Sequence, residues 1–256
     1  MKTIRVDLPK DLRTLELHPL ADLHLGDQEC DFQGIVEILK HIKETPNAYC
    51  ILGGDLMDTA IASSIGDTYA ASLNPMEQLK QCVKLFEPIK DKILCILPGN
   101  HERRVYKQDG IDLTAIMASQ LGLSNKYSST TAYLFIRFGW DSQHGRKRCY
   151  TLYYTHGSGG GRKEGGKINR LVDLSTICDA DIYCMGHVHQ PAILRTNYLR
   201  TDTSNSKVAQ VEKLFINTAA ALNYGGYGDL AGFKPSSKIN PVIYMSGEKK
   251  RAWAEL

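Results

Sequence analysis

Residues 48–58 read AYCILGGDLMD: an apolar run over 48–53 that breaks at a glycine pair and delivers Asp55 and Asp58. The run is too short for a helix and suits a buried strand. Two more stretches share the design. Residues 15–21 (LELHPLA) lead into Asp22-Leu23-His24, and residues 93–97 (ILCIL) stop at Pro98-Gly99 before Asn100-His101-Glu102. Helical spacing falls between them. Ile35, Ile38, Leu39 and Ile42 share one face of a predicted helix over 32–43. Asn74-Pro75-Met76-Glu77 reads as a helix start, with Asn74 as N-cap, Pro75 first in the helix and Glu77 completing a capping box. Met76, Leu79, Val83 and Phe86 continue its apolar stripe. A further helix fits 111–121, with Leu113, Ile116, Met117 and Leu121 inward and Gly122 ending it.

Outward from this α/β half the character changes. Residues 132–139 and 148–155 predict a hairpin around the polar loop DSQHGRK. A glycine-rich basic stretch, HGSGGGRKEGGK, opens into a predicted helix over 168–177. Residues 181–185 (DIYCM) form another strand, followed by Gly186-His187-Val188-His189, and strands at 193–199, 208–216 and 241–245 alternate with polar loops. An α/β half followed by a β-rich half predicts two packed sheets flanked by helices. At 256 residues a single domain over 1–256 is expected, with 190–256 adding a small β-rich cap.

Composition narrows the classes. With 43% hydrophobic and 23% charged residues the chain reads as a soluble globular protein. It contains no apolar run of membrane-spanning length, and the start, MKTIRVDLPKDL, lacks a signal-peptide core. Seven cysteines without a CxxC pair imply reduced thiols and a cytoplasmic location. A net charge of +3 decides nothing about nucleic acid.

Five short motifs follow predicted strands: Asp22-Leu23-His24, Gly54-Asp55-Leu56-Met57-Asp58, Gly99-Asn100-His101-Glu102, His156-Gly157 and Gly186-His187-Val188-His189. Strand ends are where α/β sheets place ligands. The carboxylates, imidazoles and amide suit Mn, Fe, Zn or Ni, and no motif contains a cysteine. In DLH and HVH, residues two apart share one side of an extended segment, so one cation can take two ligands from each.

The set D-x-H, G-D-x-x-D, G-N-H-E, H-G and G-H-x-H resembles the signature of the calcineurin-like metallophosphoesterases, in the family's order over residues 22–189. The resemblance implies a four-layer α-β-β-α sandwich of two mixed sheets with a dinuclear site at the strand ends. It implies that Asp22, His24 and His189 hold one divalent cation, that Asn100, His156 and His187 hold the other, and that Asp55 bridges them. His101 would protonate the leaving group. Asp58 would hydrogen-bond a ligand histidine and fix its tautomer, although capping a following helix is its other reading. Two cations of this kind, with manganese favoured for activity, would clamp a phosphate and carry a bridging hydroxide.

The remaining features divide. His18, His41 and His144 lie outside the motifs and read as structural. Arg103 and Arg104 follow His101 closely enough to reach a phosphate, or face solvent. The stretch 157–166 is either a lid whose Arg162 and Lys163, with nearby Lys167, meet substrate phosphates, or a solvated loop. Asn217, Asn223, Tyr224 and Tyr227 could stack on a base or form a surface turn. The Ser/Thr protein phosphatases carry an arginine where this chain has Thr59, and they lack the GHxH pair. The resemblance therefore implies a phosphodiesterase or nuclease acting on a nucleotide or nucleic acid. A phosphomonoesterase is the alternative, and a silent scaffold, as in the retromer complex, is a third reading.

Overall fold

The computed structural model describes residues 1–61, 71–161 and 163–256. The first half runs β1 (Lys2–Asp7), β2 (Thr14–Leu20), α1 (Phe32–Glu44), β3 (Ala48–Leu52), α2 (Pro75–Phe86), β4 (Ile93–Ile96), α3 (Asn100–Asp109) and α4 (Leu113–Gln120). The second half runs β5 (Ala132–Asp141), β6 (Arg146–Thr155), α5 (Glu164–Asp173), β7 (Ile182–Met185), β8 (Ala192–Asp202), β9 (Lys207–Asn217), α6 (Gly226–Leu230), β10 (Val242–Ser246) and β11 (Ala252–Glu255).

The strands make two mixed sheets. One has the order β1-β5-β6-β7-β9-β8, the other β11-β10-β2-β3-β4. Side chains alternate across each strand, so one face of each sheet turns inward. Leu15, Leu17, Ile51 and Cys95 meet Leu134, Ile136, Leu152, Tyr154, Ile182 and Ile216 in a core between the sheets. The opposite face of the five-stranded sheet, with Leu20, Cys50, Leu52 and Ile96, is covered by Ile35, Leu39, Leu79, Phe86 and Met117 from the helices of the first half. On the outer face of the six-stranded sheet, Leu171 and Leu174 cover Tyr153, Tyr183 and Phe215. This is the expected four-layer α-β-β-α sandwich. Strands β8 to β11 extend the edges of the two sheets.

Local sequence explains the helix starts. The Asp31 carboxylate caps α1 by accepting from Gly34 N, and Asn74 and Glu77 form the expected capping box at α2. The stripe of α2 is rotated from the prediction. Met76 is exposed, and Gln78 is buried in its stead, because its amide accepts from Thr59 N at 2.8 Å and donates to Leu73 O at 2.8 Å. Helix α5 begins at Glu164, four residues before the predicted start, and takes in Gly165 and Gly166 despite their poor propensity. Within the described residues the seven cysteines are free thiols, and burial pushes Cys50 up to about 12. No described helix is long and apolar enough to cross a membrane.

Candidate metal centre

Strands β2, β3 and β4 run parallel, as do β6, β7 and β9, so six strand ends open at one edge of the sandwich. The loops leaving them carry all five motifs. Those of the five-stranded sheet are fastened first to one another: Asp22 N donates to Gly54 O, His24 N to Asp55 O and Leu25 N to Leu56 O, each at 3.0 Å. Gly54 (φ 87°) and Gly99 bring the second and third loops into contact, and a Cβ on Gly99 would overlap the Asp55 carboxylate and amide.

A buried carboxylate holds this assembly. Glu102, on the first turn of α3, accepts from Asp55 N at 3.0 Å and Gly99 N at 2.8 Å through Oε2, and from Leu56 N at 2.7 Å and Met57 N at 3.0 Å through Oε1. Burial and the Asp55 charge push the Glu102 carboxyl up, while the N–H groups of Met57 and Gly99 pull it back. The motif GNHE contains this residue, yet its sequence reading reaches only the asparagine and the histidine. The available signal was Glu102 at the third position of a helix beginning after Gly99.

Backbone strain concentrates here. Asp22, His24, Asp55, Thr59, His187 and His189 have φ between 44° and 69°. Each such L-residue costs on the order of 1–3 kcal/mol unless its surroundings fix it, and such costs cluster at functional sites. The loops of the five-stranded sheet are fixed by the backbone ladder and by Glu102, and the His187 loop is tied to Asp22 through its peptide N–H.

The side chains gather in two groups. In the first, Asp22 Oδ1 lies 3.3 Å from His189 Nε2, which lies 3.2 Å from His24 Nε2. The peptide N–H of His187 donates to both Asp22 oxygens, at 3.1 and 2.9 Å. In the second, Asn100 Oδ1 is 2.9 Å from His156 Nε2 and 2.7 Å from His187 Nδ1, and Asp55 Oδ2 is 3.2 Å from His156 Nε2. The His156 ring is oriented by Nδ1, which donates to Gly53 O at 2.8 Å. Donor atoms about 3 Å apart are spaced as ligands around one first-row cation with bonds of about 2.0–2.2 Å. The donor set of carboxylate oxygen, amide oxygen and imidazole nitrogen, with no thiolate, fits a pair of divalent cations.

Electrostatics agree. Burial would raise Asp55, but the His156 charge and hydrogen bond, with His101 and His24, drive it far below the carboxylate range. Asp22 moves down likewise: burial opposes, and His189 and His156 prevail. Burial disfavours charge on His156, yet Asp55 and Asp22 lift it to about 9. Protons on histidines here compensate buried anions, the charge balance that cations would take over.

His101 lies beside both groups. Its peptide N–H donates to Asp55 Oδ1 at 2.8 Å, and its Nδ1 lies 2.8 Å from Asp58 O and 3.0 Å from Asp58 Oδ1. Its Nε2 is 2.9 Å from Arg104 Nη2 and 3.8 Å from Asp55 Oδ2. Burial lowers the His101 pKa, but Asp58 and Asp55 outweigh it and the net direction is up. Asp58 stands 3.7 Å from His24 Nδ1, so its nearer histidine is His101. The histidine rings of His24 and His101 meet edge to face at 4.5 Å.

The structure brings Arg104 to the site and leaves Arg103 exposed on the next position of α3. Lys163 is exposed ahead of α5, and Arg162 lies outside the described residues. Arg170 gathers the glycine stretch by donating to Ser158 O at 2.5 Å and Gly160 O at 3.2 Å. Lys234 pairs with Glu164 at 2.9 Å. In the late polar-aromatic segment Asn217 is fully buried, and neither amide atom has a partner among the described residues. Asn223 accepts from Lys238, and exposed Tyr224 donates to Asp229. The side chain of Tyr227 lies outside the described residues. Thr218, next to Asn217, donates to Asp22 Oδ2 at 3.4 Å.

Residues 20–191 match the family described as calcineurin-like phosphoesterase. No curated protein matches the chain. Among solved structures, a conserved uncharacterized protein from Streptococcus pneumoniae TIGR4, titled a predicted phosphoesterase, aligns at 12% identity and a TM-score of 0.35, covering 95% of this chain and 99% of that one. Wild-type Vps29 complexed with zinc, from Entamoeba histolytica, aligns at 11% identity and a TM-score of 0.40, covering 94% of this chain and 97% of that one.

Proposed function

The chain belongs to the calcineurin-like phosphoesterase family, and from that premise we propose that this metal-dependent phosphoesterase hydrolyses a phosphodiester in a nucleotide or nucleic acid. One observation carries the reading: two donor groups, Asp22-His24-His189 and Asp55-His156-His187, form at neighbouring strand ends, with Asn100 completing the second. Asp22, His24 and His189 would hold one divalent cation, Asn100, His156 and His187 the other, with Asp55 between them and manganese the favoured activator. Divalent cations held there would supply positive charge against phosphate oxygens and acidify water towards neutrality.

The chain's own groups perform the rest. Asp58 accepts a hydrogen bond from His101 Nδ1–H and fixes the ring so that Nε2 faces the site. From there Nε2 protonates the departing alkoxide. Arginine only donates, so Arg104 at 2.9 Å now occupies the position where Nε2 would meet a leaving-group oxygen. Substrate must draw the guanidinium away, and a phosphate oxygen is the partner suited to it. Thr59 supports the diester assignment: it is wholly buried, with its N–H bonded to Gln78, where the protein phosphatases of the family present an arginine.

Turnover of bis-p-nitrophenyl phosphate and p-nitrophenyl phosphate under Mn²⁺ tests the assignment. The diester should be the faster substrate. Faster monoester turnover overturns the diester reading, and inertness to both overturns the catalytic one. A panel of single-stranded DNA, RNA and cyclic nucleotides then sizes the substrate.

A further inference from the structure

His18 and His41 stand outside the five motifs, and the fold brings them together with Glu16. On β2, Leu15 and Leu17 enter the core between the sheets, so Glu16 and His18 share the opposite face, under α1. His41 comes from α1, beside its buried stripe of Ile35, Leu39 and Ile42. Glu16 Oε1 is 2.7 Å from His18 Nε2 and 2.6 Å from His41 Nε2. The two rings meet edge-on with centroids 5.4 Å apart, and the three donor atoms lie within 4.8 Å of one another.

We propose that Glu16, His18 and His41 form a further cation site of zinc type, separate from the dinuclear centre. His18 precedes Asp22 by four residues, about 13 Å at strand spacing. One carboxylate oxygen and two imidazole nitrogens make the Glu-His-His donor set of open zinc sites, which keep a fourth position for solvent. Here that position has somewhere to open. His18 and His41 line a cleft of about 390 Å³ between α1 and residues 238–242, shared with Glu37, Ile38, Lys238 and Asn240. Glu16 and His18 are nearly buried, whereas the His41 side chain is 51% exposed. Two strand ligands are thus preset, and a more exposed helix residue completes the set.

Neighbouring charges allow it. The Lys238 ammonium is taken up by Asp31 at 2.5 Å and Asn223 at 2.8 Å. Lys92 donates to the carbonyls of Ile42 and Thr45 at 2.6 and 2.5 Å. Tyr244 lies opposite Glu16 on β10 and brings no cation. As a plain hydrogen-bond cluster, Glu16 Oε1 would accept from both Nε2–H groups, and each imidazole would then have to carry its proton on Nε2. One cation serves all three donors and ties α1 to the strand that leads to Asp22.

The test uses the full chain, stripped with chelator, reloaded with Zn²⁺ and desalted, with metal measured by mass spectrometry. Wild type should hold about one zinc per chain more than His41→Ala or Glu16→Gln. Both variants should keep wild-type turnover of the diester under Mn²⁺. In an Asp55→Asn background, adding His41→Ala should remove the visible absorption of about one low-symmetry Co²⁺ per chain and leave that of any cobalt bound at the strand ends. Equal zinc in wild type and both variants, or a cobalt spectrum unchanged by His41→Ala, overturns the proposal. The difference in zinc does not depend on turnover, so an inert enzyme would sink the phosphoesterase reading and leave this one standing.

Discussion

The two sheets deliver unlike halves of one site. The five-stranded sheet contributes a floor: Asp22 and Asp55, with side chains 0% and 2% exposed, in loops laced to one another and gripped by Glu102. The six-stranded sheet contributes a rim: His187 and His189, the latter 34% exposed, on a loop tied to the floor through the His187 peptide N–H and Asp22. Anions are buried where the backbone can satisfy them, and the imidazoles of His187 and His189 are left where solvent and substrate arrive. Positive cations are what make such a division stable, because a floor of buried carboxylates without them has only protonated histidines for compensation.

The largest effect should come from the floor. Glu102→Gln keeps one oxygen for two N–H groups and turns an NH₂ against the other two, leaving buried donors facing donors. We expect a loss of about 3 kcal/mol or more in unfolding free energy, together with metal binding and turnover. Denaturant melts and metal content would read it. A variant as stable and as well loaded as wild type would show that the loops hold without this carboxylate.

His101→Ala should come next, and it should separate chemistry from architecture. Turnover should fall about 10²- to 10⁴-fold while both cations remain bound. Loss of a cation with the fold retained would make His101 a ligand, a role for which its distance to Asp55 Oδ2 of 3.8 Å leaves room but its hydrogen bonds to Asp58 do not argue.

How much of this was legible follows from what each feature asks of the sequence. The strand-then-ligand units announced themselves, since short apolar runs and polar ligand residues are both explicit in residue type. The capping box at Asn74 was equally explicit. Edge strands β1 and β11 are short and half-polar, and carried no pattern strong enough to read. The left-handed backbone at five motif positions and at neighbouring Thr59 was invisible, because none is glycine and only the surrounding hydrogen bonds impose it. Glu102 was in plain view but reads as an ordinary helix-start glutamate until the loop at 55–57 is folded onto it. The pairing of His18 with His41 joins a strand to a helix, a contact that spacing along the chain cannot express.

The rim offers a milder contrast. His189→Ala removes a half-buried imidazole of the proposed donor set whose backbone is not part of the laced floor. Metal affinity and turnover should fall about 10²-fold, with stability within about 1 kcal/mol of wild type. Asp22→Ala should cost both, because its carboxylate also receives the His187 peptide. Parallel melts and cation titrations of the two variants decide it, and matching stability losses would erase the distinction between floor and rim.

Arg104 stands over His101 and carries the smallest expected effect. Its charge lowers the His101 pKa, against Asp58 and Asp55, which raise it. The acid must be protonated to act, so turnover holds below its pKa and declines as pH rises through it. Removing a neighbouring positive charge makes protonation easier, so Arg104→Ala should carry the alkaline limb of the rate profile to higher pH. The lost phosphate contact should lower kcat/KM about tenfold near neutrality, as one charge-assisted hydrogen bond implies. A purely structural arginine would leave the limb in place. A limb displaced to lower pH would mean that the group titrating there is not a histidine under this guanidinium.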